Sequence, residues 1–215
     1  MATEGRSGLW MFIEDYGLIV IAVTFVLLAI AGVVLFVVGD RAFAEEMINT
    51  YGLYALFFIL ILEGAMLLYF APSESLVPVS IGVLAYSPGG GYDWTMIAAI
   101  LAVAVVGATI GQTALFLLAR RAGREWLLQK PWFRISEDQL DRFDGWFLKW
   151  GRPAIPISNA LLFTRGMLTV PAGVSEMRVS EFVALSALGT LLFQSWLALA
   201  FIYAIELGAL DLLPF

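Results

Sequence analysis

The sequence predicts an all-α integral membrane protein: about three full spanning helices plus two oppositely entering re-entrant helical hairpins in an inverted repeat, with interfacial amphipathic helices. Three observations lead there. First, the chain is 61% hydrophobic and only 14% charged, where a soluble domain carries about 25% charged residues, and its mean hydropathy is +0.89. Second, two apolar stretches, 51–87 and 153–173, are long enough to enter a bilayer yet are broken by prolines and hold ionisable residues inside. Third, each stretch follows an amphipathic segment and precedes an unbroken apolar one, so the order repeats. A chain of 215 residues folded as one helical bundle has no room for a second core, and no Ser/Gly/Pro-rich linker interrupts it. A single membrane domain over 1–215 is expected.

Taken in order, 1–15 is short and polar, and 16–38 runs without a charge, which makes it an N-terminal span. Ala42-Phe43-Ala44 resembles a signal-peptidase site, but the apolar region is too long and lacks a basic flank. Residues 40–50 place Phe43, Met47 and Ile48 at helical spacing among Arg41, Glu45 and Glu46, which predicts a short helix lying in the interface. The first broken hairpin, 51–87, ends at the turn Ser87-Pro88-Gly89-Gly90-Gly91. Next comes a span over 94–119, with Trp94 as interfacial anchor and Arg120-Arg121 at its far end. The polar stretch 120–152 carries Phe133, Leu140, Phe143, Trp146, Phe147 and Trp150 on one helix face and is expected to lie flat on the membrane. The second hairpin, 153–173, and a last span over 179–207 complete the chain.

Most of the twelve basic residues fall in 120–152, so the positive-inside rule makes that stretch cytoplasmic. The two hairpins then enter from opposite faces. Tyr51-Gly52 and Trp150-Gly151 open them; Val77-Pro78-Val79-Ser80-Ile81-Gly82 and Val170-Pro171-Ala172-Gly173 close them. Inverted repeats with broken helices meeting near the midplane suit transport, because unwound backbone and half-helix ends receive a polar substrate there.

Composition also excludes chemistry. The chain has no cysteine and no histidine, which removes disulfides, Cys/His metal sites and any nucleophile relying on a His base. No P-loop, nucleophile motif or dinucleotide turn occurs, so neither an enzyme nor a cofactor is expected. The formal net charge of −6 argues against nucleic acid, which needs a basic stripe. An acidic, lysine-poor, cysteine-free composition is a pattern of salt-loving archaea, and a GC-rich genome would give the same arginine bias.

The informative residues are the charges at membrane depth, each costing roughly 2.5 to 3.5 kcal/mol at the bilayer centre. Glu63 lies well inside an apolar run and Glu74 lies between Pro72 and Pro78. On one straight helix these carboxylates would stand about 16 Å apart, but Pro72 forbids that continuity. A reversal near 69–75 brings them toward one depth, where burial and like charge favour proton exchange. The alternative is that one Glu reaches water or pairs with Arg165 to lock the hairpins. Arg165, between Pro156 and Pro171, presents a permanent fork suited to phosphate or carboxylate; it is either a headgroup anchor and gate or a fixed ion-pair partner. Asn159, Gln112 and Gln194 either extend a polar path or hold helices together. The Gly107–Gly111 spacing permits close helix packing.

As a set, these residues resemble the DedA family, whose membership extends to the VTT-domain lipid scramblases of eukaryotes. The likeness covers 51–196. Glu63, then Pro72-Ser73-Glu74, then Gly82 resemble the family's acidic residue, Pro-x-acid motif and downstream glycine. Gly107, Gly111, Gln112 and Arg121-Ala122-Gly123-Arg124 resemble its glycine-spaced helix and basic element. Asn159, Arg165, Ala172-Gly173, Met177, Phe182 and Trp196 resemble its later pattern. Three positions depart from it: Asn159 replaces a first arginine, Leu162 a proline, and Gln112 an aspartate.

The resemblance implies lipid translocation by a flippase or scramblase in a multi-pass plasma-membrane protein. The substrate would be a polyisoprenyl phosphate or a phospholipid, with H+ or Na+ coupling and possible homo-oligomers. Glu63, Glu74, Arg165 and Asn159 would meet substrate or ion, supported by Pro72, Gln112, Pro171 and Gly173. The rival readings are a proton- or sodium-coupled antiporter of a soluble cation or drug, and a non-transporting scaffold.

Overall fold

A computed structural model of the chain describes residues 41–67, 73–87, 90–129, 136–162, 164–175 and 177–207, with Tyr16, Val20 and Val23. These residues are mostly helical. The span expected at 16–38, apart from those three positions, and Pro72 and Phe133 lie outside the described residues.

Helix α1 runs Arg41–Gly64 without interruption. The interfacial segment expected at 40–50 and the first arm of the hairpin are therefore one helix. The reason is local: no proline stands between them, and Gly52 is accommodated within the helix, where a Cβ would meet the Leu84 side chain at 3.3 Å and that of Ile48 at 3.8 Å. A turn at Ala65–Leu67 follows, in which Met66 takes a left-handed φ of 62°. The chain resumes as a tight turn at Ser73–Ser75, helix α2 at Leu76–Ser80 and a wider helical turn at Ile81–Ala85. Leu56 and Leu60 of α1 share a core with Val77, Ile81 and Ala85, so this second arm packs back on the first. A two-stranded hairpin, β1 Tyr86–Ser87 with β2 Gly91–Tyr92, then leads into the next helix.

Helix α3, Trp94–Ala122, is capped by Asp93, whose carboxylate accepts from the backbone N–H groups of Thr95 and Met96, the usual way of satisfying orphan donors. Its last turn carries Arg120 and Arg121, as the helix dipole favours. Short α4, Arg124–Leu128, precedes α5, Glu137–Trp150, which opens with a reciprocal Ser136–Gln139 capping box. Leu140 and Phe143 of α5 are buried, while Trp146, Leu148 and Trp150 are exposed. Arg124 ties α4 to α5 through Asp141 and through Asp144 at 2.6 Å. The second broken segment is α6, Ala154–Ala160, a loop, and α7, Thr169–Val174. Helix α8, Val179–Glu206, is the last described helix.

Among the described residues, α3 and α8 are the two helices long and apolar enough to cross a bilayer, with 29 and 28 residues. They run antiparallel. Phe116 stacks on Phe182 at 4.3 Å, Gln112 meets Ser186 one turn away, and near the other end the Tyr92 hydroxyl donates to the Ile202 carbonyl. Helix α1 crosses α3 where Gly64, Gly107 and Gly111 let the backbones touch: a Cβ on Gly107 would stand 2.8 Å from the Phe57 carbonyl oxygen. Outward-facing Val106, Ile110, Leu188, Leu191, Leu192 and Leu199 remain about half exposed, an apolar exterior that suits lipid.

Candidate functional site

The loop between α6 and α7 carries Arg165, and its shape is fixed by hydrogen bonds from both sides. The Ser158 hydroxyl donates to the Thr164 carbonyl at 2.5 Å, and the Thr164 hydroxyl donates to the Ser158 carbonyl at 3.1 Å. The Gly166 N–H donates to Asn159 Oδ1 at 2.9 Å. Gly166 has φ 74°, a left-handed turn that glycine adopts without strain.

Asn159 itself is fully engaged. Its Nδ2 donates to Gln112 Oε1 at 3.0 Å and to Ser186 Oγ at 3.2 Å, and Ser186 donates in turn to Gln112. Asn159, Gln112 and Ser186 are all buried. This triad joins α6, α3 and α8, so Asn159 and Gln112 hold helices together, one of the two roles open to them from sequence.

The loop aims Arg165 at the end of α1, where its Nη1 stands 2.9 Å from Glu63 Oε1; the side chains are 6% and 12% exposed. The guanidinium lies 4.6 Å above the Phe193 ring of α8, a cation–π contact strengthened by burial. Of the two carboxylates, Glu63 makes the pair. Glu74 sits half-buried in the turn at Ser73–Ser75. The Arg165–Glu63 contact is electrostatic more than an aligned hydrogen bond: among the described residues Nε, Nη1 and Nη2 all lack a hydrogen-bond acceptor. A guanidinium has five N–H donors, and leaving them unfilled when buried is costly.

Of the supporting residues expected from sequence, two are seen to pack. Pro171 and Gly173 are buried in α7, and a Cβ on Gly173 would stand 2.6 Å from the Phe116 carbonyl oxygen, so Gly173 lets α7 lie against α3. Two residues went unassigned in the sequence reading. Thr190 and Thr109 are buried with hydroxyls that meet no partner among the described residues, as does the Gln194 amide. Gln194 thus departs from the helix-holding role that Asn159 and Gln112 fill. The available signal was the Ser186–Thr190–Gln194 spacing, one polar residue per turn in an otherwise apolar helix.

Near the start of α8, Arg152 pairs with Glu181 at 2.7 Å. Arg120 donates to the Ser175 carbonyl at 3.2 Å and to that of Met177.

Undecaprenyl phosphate transporter A of Staphylococcus aureus is 27% identical over 159 residues, covering 72% of this chain and 74% of that protein. The protein of the same name from Bacillus subtilis is 31% identical over 140 residues, covering 62% and 67%. An alkaline phosphatase-like protein of Lactococcus lactis is 26% identical over 157 residues, covering 69% and 68%. No solved structure matches the chain. The VTT domain profile matches residues 71–203, a range that holds Glu74, Gln112, Asn159 and Arg165 and covers more than half of the sequence, and the chain belongs to the VTT-domain family, the DedA family that its motifs resemble.

Proposed function

We propose that this protein translocates a phosphate-headed lipid across the plasma membrane, as a multi-pass flippase or scramblase and not as an enzyme. The observation that carries the reading is the buried Arg165 guanidinium, whose nitrogens lack hydrogen-bond acceptors among the described residues, in a chain whose relatives include two named undecaprenyl phosphate transporters. Phosphate oxygens fit that fork.

In this reading the Glu63 contact is the resting gate. An arriving phosphate takes Arg165, and Glu63, left buried beside an anion, gains a proton or a Na+ ion. Glu74, half-buried at the first reversal, is the second exchanging carboxylate. Asn159 and Gln112 brace the Arg165 loop, and Pro171 and Gly173 keep the second broken segment closely packed on α3. Those segments enter from opposite faces as re-entrant hairpins within one domain, the basic stretch 120–152 lies on the cytoplasmic side, and α5 rests in the interface with Trp146 and Trp150 toward the headgroups. A homo-oligomer is compatible with this arrangement.

The test is transbilayer movement of fluorescent polyisoprenyl phosphate and phospholipid in proteoliposomes, with and without a pH or Na+ gradient. Wild type should move the phosphate lipid, and folded Arg165→Ala should not. Gradient dependence separates coupled transport from scrambling. Wild-type movement by a folded Arg165→Ala variant would sink the role given to Arg165, and no lipid movement by wild type would turn attention to cation flux.

A further inference from the structure

Three buried side chains on α3 and α8 hold polar atoms that nothing among the described residues satisfies: Thr109 Oγ1, Thr190 Oγ1, and both Oε1 and Nε2 of Gln194. Thr190 and Gln194 are 0% and 1% exposed. Orphaned polar groups in a core are rare, and each demands an occupant or a reason.

The helix register places them beside Arg165. The Phe116–Phe182 and Gln112–Ser186 contacts step one turn down α3 and one turn up α8, and a further step sets Thr109 at the level of Gly189–Thr190. Gly64, adjacent to Glu63, lies against the Ala108 carbonyl of α3, so Glu63 reaches the same level. Phe193, whose ring lies beneath the Arg165 guanidinium, shares a helix face with Thr190 three residues earlier. Gln194 lies one turn beyond Thr190. Glu63, Arg165 and Thr190 therefore lie at one level of the bundle, with Gln194 one turn along the same helix.

The chemistry of the group selects its occupant. A cation is disfavoured by the guanidinium, which cannot lose its proton. A phosphate uses the donors beside Arg165: its oxygens accept from Arg165, from the Thr190 hydroxyl and from Gln194 Nε2. Gln194 Oε1 is then left as an acceptor, and it suits a P–O–H group. A phosphomonoester carrying one proton has such a group; a phosphodiester has none and would leave Oε1 buried and empty.

We propose that Thr190 and Gln194 complete the anion site begun by Arg165, and that Gln194 selects a singly protonated phosphomonoester over a phosphodiester. This rests on the transport reading above, deepening it to two further residues and one headgroup form. The guanidinium, a protonated Glu63 and a phosphate monoanion sum to neutrality for monoester and diester alike, so the discrimination rests on the P–O–H group.

The experiment measures ligand-induced thermal shifts of the purified full chain in detergent, read by tryptophan fluorescence. The probes are a short-chain polyisoprenyl monophosphate, a diester of the same chain, and inorganic phosphate. Wild type should bind the monoester about tenfold more tightly than the diester, the scale of one unmade buried hydrogen bond. Gln194→Leu should abolish that preference, and Thr190→Val should weaken both ligands. Neither should lower the ligand-free melting temperature, because each removes an unsatisfied buried group. Wild-type affinity and preference in both variants would overturn the inference while leaving the transport reading intact. Absence of any shift in wild type with any of the three probes would overturn both. A full shift with inorganic phosphate alone would keep the phosphate site and remove the lipid from the transport reading.

Discussion

Arg165 Nη1 lies 2.9 Å from Glu63 Oε1, and the two side chains, from opposite halves of the sequence, are almost fully buried together. Removing one partner of such a pair leaves the other as an uncompensated buried charge. Glu63→Gln should therefore cost about 3 to 5 kcal/mol of stability. The double variant Glu63→Gln with Arg165→Met should recover most of that loss, since neutral replacement of a buried pair is often tolerated, and it should move no lipid. Chemical denaturation in detergent checks both values. Full stability in Glu63→Gln alone would mean that the pair is not held in the folded protein.

Asn159 stands where the family pattern resembled by this sequence has an arginine, and its surroundings explain why an arginine would not fit here. A Cβ on Gly189 would come within 2.7 Å of Asn159 Cβ, and the Asn159 amide already fills Gln112, Ser186 and the Gly166 N–H. Asn159→Arg should destabilise through overpacking by about 1 to 3 kcal/mol, with further loss from the stranded Gln112 and Ser186. A melting temperature equal to wild type, with a gain in phosphate affinity, would instead show that the pocket admits the second charge.

The sequence carried the two apolar helices and the helix–loop–helix around Arg165, because proline and glycine are strong local signals in an apolar chain, but it set the first reversal near 69–75, whereas α1 already ends at Gly64. It did not carry which carboxylate Arg165 meets, since Glu63 and Glu74 offer the same group and only the angle of the α6–α7 loop decides. Nor did it carry the continuity of α1 through Tyr51-Gly52, where a pair read as a hairpin opening is simply helix. The Asn159–Gln112–Ser186 triad was half legible: the amides stood out in apolar helices, but Ser186 is an ordinary small residue in such a helix until its partners are known.

Glycine has opposite meanings at two positions, which gives a paired prediction. Gly111 packs so closely on the Ile61 carbonyl and the Ala65 N–H that an added Cβ overlaps backbone. Gly145, inside α5, has nothing within 4 Å of a built Cβ. Gly111→Ala should cost about 1 to 3 kcal/mol by prising α1 from α3, and Gly145→Ala should add about 0.5 to 1 kcal/mol through reduced chain entropy. Thermal denaturation of the two variants checks the contrast, and equal melting temperatures would contradict it.

The Arg124 contacts on α5 predict a dependence on pH. Arg124 is held charged first by its hydrogen bond to Asp141, whereas Asp144, although 2.6 Å from Arg124, has its carboxyl pushed above the ordinary range because burial outweighs the arginine's pull, with Asp141 adding repulsion. A carboxyl whose folded value is raised binds its proton more tightly in the folded state than in the unfolded chain. Its contribution therefore favours folding at acid pH and declines as pH rises from the ordinary Asp value, about 3.9, through the raised one. Above that window the full cost of the buried charge is in place. Asp144→Asn should accordingly melt higher than wild type at neutral pH, with the difference shrinking as the pH falls through the window. Melting curves of both proteins from acid to neutral pH check this. A variant that melts lower than wild type at neutral pH would mean that the Arg124–Asp144 attraction exceeds the cost of burying the carboxylate.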